Sequence, residues 1–136
     1  MPGPSRWMIR ISLCYLMLGF TFGMLLLINK AVDIHPAIWI LLPLHVETLF
    51  WGFIIQFTMG TAYWILPRYL EGAERGRTGL SWAMAGLLNL GILLYLAGTV
   101  TTVGTFFLIT GRSLELVAVG MFVYLHWGRI ATYRNN

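Results

Sequence analysis

The chain alternates long apolar runs with short polar breaks, and the runs are too long for the strands or amphipathic helices of a water-soluble domain. Four of them, residues 11–29, 38–66, 80–103 and 114–127, hold few ionisable side chains. At about 1.5 Å per residue, roughly 20 residues cross a hydrocarbon core of about 30 Å. The first three runs therefore predict spanning helices over 11–29, 36–67 and 80–103. The fourth reaches spanning length only by taking in Phe106 to Arg112, which predicts a helix over 108–129. The expected fold is an all-α membrane protein, a single transmembrane domain over residues 1–136 built as a four-transmembrane-helix bundle. A secretory signal peptide is the competing reading of the first run, but no small-residue cleavage site follows it, and Asn29-Lys30 reads as a helix end.

Composition agrees: 58% of the residues are hydrophobic and 10% charged, against about 25% charged in soluble domains. The basic residues set an orientation. Arg6, Arg10, Arg68, Arg75, Arg77, Arg129 and Arg134 fall on one side of the four runs, and Lys30 and Arg112 on the other. The positive-inside rule then places both termini in the cytoplasm, and the expected location is the cytoplasmic membrane of a prokaryote. The net charge of +4 is this loop bias and predicts no nucleic-acid partner. Trp7, Trp39, Trp64, Trp82 and Trp127 stand near helix ends, where amphipathic rings favour the headgroup level. Cys14 is the one cysteine, which excludes a disulfide scaffold within the chain; it reads as a small buried apolar residue. The longest loop, Tyr69 to Gly79, is a glycine-rich turn with no phosphate-loop pattern.

Candidate chemistry must come from polar groups inside the helices, where they are costly. Counted from His45 at about 100° per residue, Thr48, Gly52, Gln56, Met59, Gly60 and Tyr63 fall within about 60° of the histidine direction. The two glycines leave room for something broad and flat, or for another helix packing through small residues with His45 as its hydrogen-bonding partner. Gly19 and Gly23 form a further small pair in the first helix and predict helix contact. Glu47 lies about 160° round from His45 and is expected to face a neighbouring protomer, to pair with Arg112 or Lys30, or to bond a group behind the site. Glu115 reads as a helix-start residue. Asn89 is expected to hydrogen-bond across helices.

The run from Leu44-His45-Val46-Glu47 through Gly52, Gln56 and Gly60 to Pro67-Arg68 resembles the second transmembrane helix of haem-copper oxidase catalytic subunits. The likeness is greatest to the cbb3-type oxidases and the nitric oxide reductases. It covers about 25 residues and implies that His45 is an axial ligand of a low-spin haem b near the outer face, with Gly52, Gln56, Met59, Gly60 and Tyr63 beside the cofactor. The chain departs from the family in size: those subunits have twelve helices in three similar arcs of four, and a fuller set of histidines than the three present here. The resemblance therefore implies one arc standing alone, assembled as a homo-oligomer, a trimer or a dimer, with haem shared between His45 residues at protomer interfaces.

His126, near the inner end of the fourth helix, lies at a different depth from His45 and is expected to be an interfacial hydrogen-bonding residue or the ligand of a second haem. His35 is expected to be solvated, within reach of a propionate. Three classes of function remain open. The first is a b-type cytochrome that transfers electrons or binds NO, CO or O2. The second is a cofactor-free accessory subunit of a respiratory complex. The third is a small transporter with Glu47 as its proton-coupled carboxylate. Copper or zinc held by three symmetry-related His45 imidazoles is a lesser alternative. No complete constellation of acid, base and nucleophile can be assembled, so the sequence does not predict an enzyme.

Overall fold

The computed structural model describes residues 1–66, 78–101 and 104–133, with side chains as far as Trp127. Every secondary-structure element among the described residues is a helix, without strands. Helix α1 is Gly3–Val32, α2 is Pro36–Ile65, α3 is Thr78–Val100 and α4 is Gly104–Tyr133. Each is long and apolar enough to cross a membrane, as an integral membrane protein requires. Helix α1 begins eight residues before the first apolar run, because Pro2 and Pro4 suit a helix start, where the missing N–H groups would be orphans anyway. Helix α4 does take in Phe106 to Arg112. Pro67-Arg68, Arg75, Arg77, most of the Tyr69–Gly79 loop, Arg134 and the Arg129 side chain lie outside the described residues.

Two antiparallel hairpins, α1/α2 and α3/α4, make up the bundle, and α3 packs across onto both α1 and α2. The turn between α1 and α2 is closed by one buried side chain. Asn29 accepts the Asp33 N–H on its main-chain carbonyl at 2.8 Å and the His35 N–H on Oδ1 at 2.9 Å, while Asp33 takes the left-handed conformation at φ 48°. His35, exposed as expected, accepts the Ala37 N–H on Nδ1 and so caps the 3-10 turn Pro36–Ile40 that opens α2.

Helix α2 is not uniform: after Leu41–Glu47 it widens into a π-helical stretch, Thr48–Ile55, and returns to α-helix over Gln56–Ile65. At the start of this stretch the Thr48 hydroxyl donates to the carbonyls of Leu44 and His45, a local bond that competes with the regular ladder. In α3 and α4 the backbones touch. A methyl group on Gly91 would sit 2.8 Å from the Gly111 carbonyl oxygen, so only glycine permits this approach. The core is a column of buried apolar residues including Met8, Met59, Met84, Leu88 and Ile92.

Two expectations are corrected here. Cys14 is exposed on α1, where a thiol facing lipid leaves no strong polar group unsatisfied. Asn89 donates to the Ala85 carbonyl one turn back in its own helix at 2.9 Å, which satisfies the amide without a neighbouring helix.

Candidate functional site

The face of α2 that starts at His45 packs on α1. The His45 ring lies against Gly23, where a methyl group would come 2.7 Å from its Cε1, and its Nδ1 donates to the Gly19 carbonyl at 2.7 Å. Since a carbonyl only accepts, Nδ1 carries the proton and Nε2 keeps its lone pair. Nε2 makes no hydrogen bond among the described residues. The expected Gly-x-x-x-Gly contact of α1 is thus the seat of this imidazole.

The other residues of the stripe follow α1 downwards. Gly52 meets the Tyr15 ring, Gly60 meets Met8, Ile9 and the main chain of Ser5, and the Gln56 amide donates to the Met8 carbonyl at 3.2 Å. Met59 and Tyr63 are buried, and the Tyr63 ring stands edge-on to His126 with centroids 5.7 Å apart. Gly52, Gln56, Met59, Gly60 and Tyr63 therefore share a face, as their spacing predicts, and what occupies that face is protein. Gly52, Gln56 and Gly60 seat α2 on α1, Tyr63 meets His126 of α4, and none of the five lines the groove beside His45.

The opening lies beside the imidazole. A groove of about 650 Å3 runs between α1 and the start of α2, lined by Phe20, Gly23, Met24, Trp39 and His45, with Lys30 among its walls. Its volume is in the range of small-molecule and cofactor sites. The lining is almost wholly carbon, with one ring nitrogen and one ammonium as its ionisable groups.

A second polar centre stands behind α2 and joins the two hairpins. Arg112 of α4 bonds Glu47 Oε2 of α2 and Glu115 Oε2 of its own helix, each at 2.6 Å. Its guanidinium lies 3.9 Å from the centroid of the Tyr95 ring on α3 and 5.6 Å from that of Trp51 on α2. Both carboxylate side chains are fully buried, whereas the arginine side chain is 37% exposed. The expected pairing of Glu47 with Arg112 is present. The reading of Glu115 as a helix-start residue is overturned: α4 begins at Gly104, so Glu115 lies beyond the first turn and is held by charge pairing. One oxygen of each carboxylate, Oε1, has no hydrogen-bond partner among the described residues.

His126 is buried between α2 and α4, with Nδ1 donating to the Phe122 carbonyl at 2.7 Å and its ring tilted over Phe122. It is buried within the bundle and hydrogen-bonded. Tyr63, which touches it, is eighteen residues along α2 from His45, about 27 Å at helical rise. The two imidazoles therefore serve different places, and no group of three or more ligating side chains forms among the described residues. Comparison with family models, curated proteins and solved structures finds no match. The chemistry of the site rests on its own geometry.

That geometry fits a haem at His45. A ligating histidine generally donates its second ring N–H to a carbonyl or carboxylate, which fixes the tautomer and raises the basicity of the ligating nitrogen. Gly19 supplies that carbonyl, and the groove supplies apolar walls. The sequence signal that would have found the groove is the pairing of Gly19 and Gly23 with His45, two small residues at the depth of one imidazole.

Proposed function

We propose that the chain is a membrane-embedded b-type haem-binding protein resembling one four-helix arc of a haem-copper oxidase catalytic subunit, with His45 as axial ligand of the iron in a site closed between protomers. The observation that carries this reading is the Nδ1–H bond from His45 to the Gly19 carbonyl at 2.7 Å, beside an apolar groove. A histidine that served helix packing alone would gain nothing from such an opening. His45 and the walls of the groove would hold the group, while Gly52, Gln56, Met59, Gly60 and Tyr63 hold α2 in the rotation that brings His45 to it.

When bound, haem supplies a one-electron iron couple; two imidazoles make it six-coordinate and suited to electron transfer, and one imidazole leaves a position for NO, CO or O2. The groove contains no second histidine, so in the six-coordinate form the second imidazole would come from His45 of a second copy of the chain. With basic residues on the other side, this end of the bundle is the outer one.

The test is a pyridine haemochrome assay on protein purified from haem-supplied cells, combined with a mass measurement in native detergent. The expected result is haem b at one per two chains in a particle of at least two chains, unchanged by His126→Ala. A haem-free protein would favour the accessory-subunit reading, and a monomer with one haem would remove the shared site.

A further inference from the structure

Lys30 stands on the stripe of α1 that carries Gly23, the seat of the His45 ring: seven residues at about 100° each return to within about 20° of the starting direction. Along the axis it lies about 10 Å nearer the end of the bundle. Its ammonium makes no ion pair among the described residues. Between the two positions the walls are apolar, including Met24, Leu27 and Trp39. The only other cation described at this end, Arg112, is held by two carboxylates behind α2. Nearby, Asp33 and His35 lie on the exposed turn and do not line the groove.

The groove thus offers a nitrogen donor at its base and a lone cation about two helical turns above it, with carbon between. A ligand that satisfies both ends carries an acid group at that distance from the atom His45 binds. Haem has this form, since its propionates leave one edge of an apolar disc centred on the metal. The alternative for an unpaired lysine is to extend its ammonium to headgroup water, which would make it indifferent to the ligand's acid groups.

We propose that Lys30 is the anchor of the ligand's carboxylate, so that it fixes which edge of the haem faces the membrane surface and selects against porphyrins without free acids. This rests on the reading of His45 as a haem ligand. The experiment reconstitutes protein made in haem-depleted cells with haemin or with haemin dimethyl ester, whose propionates are esterified, and follows the Soret band. Wild type should bind haemin about tenfold more tightly than the ester, the worth of one charge-assisted bond in an apolar setting. Lys30→Met should bring the two within about twofold of each other, and Lys30→Arg should keep the preference. Equal binding of both porphyrins by wild type, with both lost in His45→Ala, would overturn the role of Lys30 and leave the haem reading standing. Unchanged binding of both in His45→Ala would end the haem reading and this proposal with it. The wild-type comparison of haemin with its ester needs no variant and can overturn the proposal even if Lys30→Met fails to accumulate.

Discussion

Arg112 pairs with two carboxyl groups that are fully buried, its single charge balancing one of them, and the stability of the bundle should depend on it. Removing one partner of a buried pair leaves uncompensated charge, which costs about 3–5 kcal/mol. Arg112→Leu is expected to cost about 3 kcal/mol, the low end of that range, because the guanidinium is 37% exposed. Chemical unfolding in mixed micelles checks this; a loss near zero would show that the ion pairs do not hold the hairpins together. His45 was legible from its place on a polar stripe, and Glu47 with Arg112 from their common depth. Glu115 was not legible, because a charged Arg112 inside an apolar run looks like a helix boundary. What keeps it inside is a partner on α2, sixty-five residues away in sequence. At the imidazole the prediction is steric. Gly23→Ala places a methyl group 2.7 Å from His45 Cε1 and should displace the ring, lowering the haem content of the purified protein at least severalfold. Full haem content in this variant would mean that the ring is not held where it is described.

The four helices were legible as elements because length and hydropathy suffice to identify spans. Their packing faces were legible in part. His45, Gly52, Gln56 and Gly60 do meet one neighbour, α1, although a π-helical stretch interrupts the 3.6-residue period on which the projection rests. No periodicity announces that stretch, which opens where the Thr48 hydroxyl bonds the Leu44 and His45 carbonyls. Between α3 and α4, where the Gly91 and Gly111 backbones touch, Gly91→Ala should force the helices apart, since the obstacle is a main-chain carbonyl that cannot turn aside. Gly86, with open space around it, is the matched control: Gly86→Ala should be neutral or stabilising by up to about 1 kcal/mol through helix propensity. Thermal unfolding of the two variants in one detergent separates them, and equal midpoints would contradict the close packing.

At the scale of the molecule, the two hairpins are joined by the Arg112 cluster near one end and by an edge-on contact of Trp7 with Trp82, centroids 6.0 Å apart, near the other. This leaves the groove at the outer flank of α1 and α2, away from α4, where a second copy of the chain can close it. The proposed two-chain site should resist dilution only while haem is bound: removing haem should raise the monomer fraction in native mass measurements, and an unchanged oligomer would mean that assembly does not use this flank. Nothing in a single sequence shows an interface between copies, because the residues that would face a partner are apolar for the same reason as those that face lipid. The central claim is that His45 binds the iron of a haem. Its most direct test is the reduced-minus-oxidised optical spectrum of the purified wild type beside His45→Ala. A b-type difference spectrum in the wild type that is absent from a correctly inserted His45→Ala protein is the predicted result; the same spectrum in both, or none in either, would contradict it.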